Sequence, residues 1–260
     1  AVEFEILTLP ENLWQVWGGM QTLGIDLIVQ PGKERRKKML LADMDSTMIE
    51  QECIDELAAE AGVGPRVADI TARAMNGELD FEQALRERVW LLKGLPLRTI
   101  QKVYQNRITF MPGGEVLVAT MRAHKGYAAL VSGGFTDFTR PVAAKLGFDE
   151  HRANRLLKAN AALSGQVGNP ILGREAKVTA LNEISTAQNL HANDVLAVGD
   201  GANDLDMLKL AGTGVALHAK PIVQDQVSVR VNHADLTALL YLQGYSKSEF
   251  VIPPNVSTAP

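Results

Sequence analysis

Cysteine is nearly absent from this chain: Cys53 stands alone among 260 residues. No disulfide can form within it, and the composition gives no mark of an oxidising compartment. No uninterrupted apolar stretch approaches the ~18 residues of a membrane-spanning helix. Glu3 and Glu5 break up the first apolar residues where a signal peptide needs a continuous run. The expectation is therefore a cytoplasmic protein without a membrane partner. An excess of basic charge is also lacking, since the net charge is −4 and the isoelectric point is near 5.8, which argues against nucleic acid as a partner. The one basic run, Lys33-Glu34-Arg35-Arg36-Lys37-Lys38, reads as a solvated loop. Apolar residues at 46% and charged residues at 22% exclude a disordered or fibrous chain. The length suits one large domain, or a core with a smaller insert.

Residues 1–37 hold two short apolar segments, Phe4 to Leu7 and Ile25 to Gln30, around a stretch with Trp14 and Trp17. They carry no recognisable chemistry, and their role as an accessory segment stays open. From Lys38 onward, short continuous apolar runs recur between helical stretches: Met39 to Ala42, Ala128 to Val131, Val195 to Val198 and Gly214 to Leu217. Runs of this kind indicate parallel strands covered on both faces, hence an α/β fold with a doubly wound parallel sheet. The gap between the first two runs is far longer than a crossover needs. It is expected to hold a small helical cap over residues 50–107, with helices from Glu52 to Ala61, Val67 to Asn76, Phe81 to Leu92 and Leu97 to Asn106. Gly62 to Pro65, Gly77 and Gly94 to Pro96 would be the breakers. Residues 38–49 and 108–260 then form the core.

Chemistry concentrates at the ends of these runs. Met39-Leu40-Leu41-Ala42 delivers Asp43-Met44-Asp45-Ser46-Thr47 at the carboxyl end of a buried strand, where open α/β sheets keep their sites. Residues two apart on an extended chain point the same way. Asp43 is thus placed to attack a phosphoryl group as a carboxylate nucleophile, with Asp45 exchanging protons beside it. The competing reading is a helix cap, a common use of Asp and Ser before an apolar-periodic stretch. Ser132-Gly133-Gly134 ends the second run at the expected start of a helix, which makes Ser132 a phosphate ligand candidate or, more plainly, part of a tight turn. Lys177 lies near a helix N-terminus, where the helix dipole disfavours a cation. A phosphate and the Asp43 carboxylate would account for it, whereas a solvated surface lysine is the reading that Lys177 favours when taken without the other motifs. The run Val195 to Gly199 leads into Asp200-Gly201-Ala202-Asn203-Asp204. Asp43 and Asp200 suit Mg²⁺, which is held by one or two carboxylates together with phosphate and water, and Asp204 would orient ligands or waters around it. A plain turn-rich loop is the alternative.

Taken together, Asp43-x-Asp45, Ser132, Lys177 and Asp200 with Asp204 resemble the haloacid dehalogenase superfamily. Asp43 to Thr47, Glu52, Ile54-Asp55-Glu56-Leu57 and the stretch Ala74 to Phe81 with Arg86 and Arg88 resemble the phosphoserine phosphatase family within it. The resemblance implies a Mg²⁺-dependent hydrolase that turns the small molecule O-phosphoserine into serine and phosphate, the last step of serine biosynthesis, through an aspartyl phosphate. It implies Asp43 as nucleophile and Asp45 as general acid and base. The metal would lie on Asp43, the backbone carbonyl of Asp45, and Asp200, and the phosphate on Ser132 and Lys177. Substrate contacts would fall on Glu52, Met75, Phe81, Arg88 and Gly133, with Asn203 a further candidate. Independently, a phosphoserine pocket must neutralise an ammonium, which suits Glu52, and a carboxylate, which suits the planar fork of Arg88. Another small phosphomonoester, transfer to an alcohol instead of water, and a non-catalytic binding module are the alternatives.

Overall fold

The computed structural model describes residues 1–75 and 79–254. In chain order the elements are α1 (Leu13–Thr22), β1 (Met39–Ala42), α2 (Cys53–Glu60), α3 (Gly64–Met75), α4 (Phe81–Leu91), α5 (Leu97–Arg107), α6 (Gly114–Ala123), β2 (Tyr127–Phe135) and α7 (Thr136–Leu146). They continue through β3 (Glu150–Asn154), β4 (Leu156–Ala159), β5 (Ala162–Val167), α8 (Arg174–Ala187), β6 (Val195–Gly199), α9 (Leu205–Leu210), β7 (Thr213–Leu217), α10 (Pro221–Gln224), β8 (Val229–Val231) and α11 (Ala238–Leu242). Six strands form one sheet in the order β3-β2-β1-β6-β7-β8, parallel throughout. The chain reverses its winding direction between β1 and β6, so the crevice for a ligand lies beyond the carboxyl ends of those two strands.

The strands read as unbroken apolar runs because both faces are covered. Leu40, Ala42, Leu130, Leu196 and Val198 pack with Leu117, Phe138 and Val142 on the α6–α7 side. Met39, Leu41, Ala129, Val195 and Ala197 pack with Leu181, Ile184 and Leu208 on the α8–α9 side. The alternation along β1 and β6 is the period of two that an extended chain imposes. All four expected runs are strands, while β3 and β8 are additional. The sequence Glu-His-Arg-Ala-Asn of β3 is polar at a sheet edge, and β8 has only three residues, so neither shows the apolar run that marks a central strand.

The four expected helices between β1 and α6 are present as α2–α5. Pro65, expected in a breaker, instead lies in the first turn of α3, where a missing N–H costs no intrahelical bond. The chain leaves and re-enters the sheet layer through a narrow neck. Ile49 and Phe110 form an antiparallel bridge, flanked by Glu50 N–H to the Thr109 carbonyl at 3.0 Å and Met111 N–H to the Met48 carbonyl at 3.0 Å. An unexpected hairpin, β4–β5, joins these helices: Leu163 exchanges backbone hydrogen bonds with Gly94 (2.8 Å) and Leu95 (2.9 Å) in the α4–α5 connection.

Residues 1–37 contain α1 and little other regular structure. They are fastened to the end of the chain by Asp26, whose carboxylate accepts from the N–H groups of Asn232 (2.8 Å), His233 (3.0 Å) and Ala234 (2.8 Å). Arg35 donates to the carbonyls of Leu242 and Tyr241, and the Arg230 guanidinium lies over both Trp14 and Trp17. Among the described residues no helix is long and apolar enough to cross a membrane. Asp26→Ala leaves three N–H groups without their acceptor and is expected to lower unfolding stability by about 1–3 kcal/mol, read from urea denaturation midpoints.

Candidate active site

Asp43 follows β1 directly, and its N–H extends the parallel ladder to the Val198 carbonyl at 3.0 Å. Asp200 follows β6, the strand paired with β1. The two aspartates therefore emerge side by side at the crevice where the winding reverses. A short 3-10 turn, Ala202–Asp204, brings Asp204 back towards them, and its carboxylate caps that turn by accepting from Gly201 N–H at 3.0 Å. The carboxylates of Asp43, Asp200 and Asp204 converge within 4.8 Å of one another. Gly199 permits this approach, because a Cβ there would lie 2.4 Å from the Asp204 carboxyl carbon.

Lys177, expected near this site, is the fully buried centre of it. It projects from the first turns of α8, 2% exposed, with its Nζ 2.7 Å from Asp43 Oδ1 and 2.5 Å from Asp204 Oδ1. The contact to Asp43 is an ion pair off the hydrogen-bond line, and Asp43 Oδ1 has no hydrogen-bond donor. The Asp204 and Asp43 carboxylates outweigh the burial that would lower the Lys177 pKa and hold it above its ordinary value.

Asp45 accepts from the Cys53 N–H at 3.0 Å, and the Ser132 hydroxyl lies 3.5 Å from its second oxygen. Ser132 Oγ in turn accepts from Gly134 N–H at 2.8 Å. The helix expected to open at Gly133-Gly134 begins at Thr136 instead. β2 runs on through Phe135, which pairs with Asn154 after a break in register from Val131, so Ser132 to Gly134 are an irregular strand end. Gly134 has to be small, since a Cβ there would meet Asp45 Oδ2 at 2.7 Å. Ser46 holds a left-handed backbone with φ of 55°, strained for a residue with a side chain, and its hydroxyl donates to Glu52 Oε1 at 2.8 Å.

The family model of haloacid dehalogenase-like hydrolases matches residues 40–209, which spans all of these groups. The chain belongs to that family. A phosphoserine phosphatase of Archaeoglobus fulgidus is 40% identical over 221 residues, 84% of this chain and 64% of its own length. One from Methanocaldococcus jannaschii is 42% identical over 208 residues, 80% of this chain and 98% of its own. This chain thus spans less than two thirds of the first relative and nearly all of the second. A solved substrate-bound phosphoserine phosphatase complex is 40% identical, covers 79% of this chain and 98% of its own, and superposes with a TM-score of 0.74.

In this haloacid dehalogenase-like hydrolase the electrostatics divide the carboxylates by environment. Burial, then the Asp204 charge, hold Asp43 well above the usual carboxylate range, with Lys177 opposing. Burial and Asp204 push Asp200 up to about 6. Three buried carboxylates face the Lys177 ammonium and, 4.0 Å from Asp200, the exposed Lys220 ammonium; the remaining excess of negative charge on oxygen donors fits a hard divalent cation. Asp45 is raised to about 7, by burial first and by the Glu52 charge second, while the Cys53 N–H opposes the rise.

Arg88, on α4, is mostly buried. Burial lowers its pKa, and the nearby Asp55, Glu52 and Asp45 charges oppose that, so its guanidinium faces the Asp45 side of the site. Phe81, at the start of α4, packs its half-buried ring beside Gly133 and Gly173. Asn203 folds back over Gly201, where a Cβ would lie 2.3 Å from Asn203 Oδ1. The Met75 side chain and Asn76 to Glu78 lie outside the described residues. Sequence reasoning passed over Cys53, whose N–H binds Asp45, and Asp55, whose charge faces Arg88. Backbone donors leave no sequence signal, and Asp55 reads as an ordinary acidic residue in a helix first turn.

In the metal-free hydrolase, carbon-13 NMR of the Asp45 carboxyl is expected to show a titration at about 7. Glu52→Gln removes the second cause of that rise and is expected to move the titration to lower pH.

Proposed function

We propose that this hydrolase removes the phosphate of O-phosphoserine through an aspartyl phosphate on Asp43. The observation that carries this reading is the placement of Asp45, a carboxyl held at about 7, between the Lys177-paired Asp43 on one side and the Glu52 and Arg88 charges on the other. A carboxyl with that pKa can give and take a proton near neutral pH, whereas the ordinary value of about 3.9 leaves it ionised.

In the first step an Asp43 carboxylate oxygen attacks phosphorus and the bond from phosphorus to the serine oxygen breaks, while Asp45 gives its proton to that oxygen. In the second step Asp45 takes a proton from water as the water oxygen bonds to phosphorus, and the Asp43 carboxylate leaves as inorganic phosphate departs. Lys177 and the Ser132 hydroxyl are assigned to the phosphoryl oxygens, where fixed donors count most as charge spreads in the transition state. Glu52 is assigned to the substrate ammonium and Arg88 to its carboxylate, with Gly133, Phe81, Met75 and Asn203 completing the pocket. Mg²⁺ is the cation we assign to Asp43, Asp200 and the Asp45 carbonyl, with Asp204 orienting the set; bound there, it would offset phosphoryl and carboxylate charge.

Residues 50–107 are proposed to act as a cap that covers the substrate, with the neck at Ile49 and Phe110 as the boundary with the core. The β4–β5 hairpin, counted at first with the core, would belong with the cap by its bonds to Gly94 and Leu95.

Phosphate release from O-phospho-L-serine is expected to require a divalent cation and to be lost in EDTA. Asp43→Asn is expected to lower kcat by at least about 10³-fold, the scale on which loss of a covalent nucleophile acts. Arg88→Ala is expected to raise KM for phosphoserine while sparing an aryl phosphate that has no carboxylate. Turnover of the aryl ester alone would replace phosphoserine with another phosphomonoester.

A further inference from the structure

Gly133 and Gly173 come from distant parts of the chain, the end of β2 and the residue before α8, yet both are shaped around one side chain. A Cβ on Gly133 would lie 3.3 Å from Phe81 Cζ, and a Cβ on Gly173 would lie 3.1 Å from Phe81 Cδ1. Neither glycine is there for its backbone freedom. Gly173 has φ of −103°, and Gly133 is not among the glycines with positive φ. The space they leave is the space that the Phe81 ring uses.

The two backbones are tied together by Asn154. This side chain is 1% exposed, at the last position of β3. Its amide nitrogen donates to the carbonyls of Gly133 (2.8 Å) and Leu172 (3.1 Å), and its amide oxygen accepts from the Leu172 N–H (2.7 Å). One buried amide thus joins the loop carrying Ser132 and Gly133 to the segment that leads into α8 and Lys177. All three bonds are to backbone, so the clamp holds regardless of the neighbouring side chains.

We propose that Asn154 and Gly173 are positioning residues of this hydrolase: Asn154 clamps the Gly133 backbone to that of Leu172, the neighbour of Gly173, in a seat for Phe81, and the seat fixes where α4 rests against the phosphate-binding loop. Because Arg88 is on the same helix as Phe81, two turns along, the seat also sets the position of the guanidinium relative to the Asp55, Glu52 and Asp45 charges. Neither residue touches the reacting atoms. The seat would register the substrate-recognition helix against the groups that hold phosphate, which makes it a determinant of KM for a substrate bound at both ends. This inference rests on the phosphoserine reading for its kinetic consequence and on geometry alone for the seat.

The test is a double-substitution cycle on the metal-loaded, full-length chain. Gly173→Ala is compatible with the observed backbone and adds only the Cβ that crowds Phe81. It is expected to raise KM for O-phospho-L-serine by about tenfold, with a smaller change in kcat and an unchanged unfolding midpoint. In the Phe81→Ala background, where the ring and its δ-carbons are gone, the same substitution is expected to change KM by less than about twofold. Asn154→Asp keeps the size but turns the donor towards both carbonyls into an acceptor. It is expected to raise KM on the same scale and to add little to Gly173→Ala.

Equal effects of Gly173→Ala in both backgrounds, or no effect in either, would overturn the seat, whatever becomes of Asn154→Asp. If the parent chain hydrolyses no phosphomonoester, the functional reading falls, and amide exchange in residues 81–91 still decides the seat. Faster exchange on Gly173→Ala with Phe81 present, and not in the Phe81→Ala background, would support it. Unchanged exchange would reject it.

Discussion

The buried ammonium of Lys177 is the interaction on which the site depends. Asp43, Asp200 and Asp204 approach one another where all three are buried and like charges are costly, and Lys177 offsets two of them at 2.7 and 2.5 Å. Removing one member of such a buried cluster leaves an uncompensated charge, which costs far more than the intact arrangement gains. Burial first, and the Asp204 charge second, still raise the Asp43 and Asp200 carboxyls. The excess of carboxylate oxygens fits a divalent cation.

The fold supplies the geometry for that balance through the reversal of winding between β1 and β6. Two strands that are neighbours in the sheet but about 150 residues apart in the chain release Asp43 and Asp200 at the same edge. The residues that follow β1 then bring a second group of charges, with Glu52 and Arg88 interacting with Asp45, and Asp55 interacting with Glu52 and Arg88. Burial first, and the Glu52 charge second, poise the Asp45 carboxyl near neutrality, while its neighbour two residues earlier is paired with a lysine.

Much of this was legible in the order of residues. Continuous apolar runs fit only strands buried on both faces, and all four of them are strands of the parallel sheet. The acids at their ends could be read as a group because each run delivers its carboxylates at the same end of the sheet. Polar, short strands such as β3 and β8 were not legible, since their place is decided by a neighbouring strand and not by their own pattern. The hairpin β4–β5 was missed for the same reason: its partner is the α4–α5 connection, about 70 residues earlier.

By itself the sequence determined the class of fold, the strand that carries Asp43, and the kinds of group that meet at the strand ends, because these follow from local periodicity and from residue chemistry. Tertiary structure alone decided that Lys177 lies between Asp43 and Asp204, that Cys53 offers its backbone to Asp45, and that Asn154 binds the Gly133 and Gly173 segments together. Each of these joins parts of the chain through a distance or a backbone donor, and neither quantity is written in the identity of a residue. Packing, which brings those parts within reach and removes water between them, is what turns separate acids and a lysine into a site with shifted proton affinities.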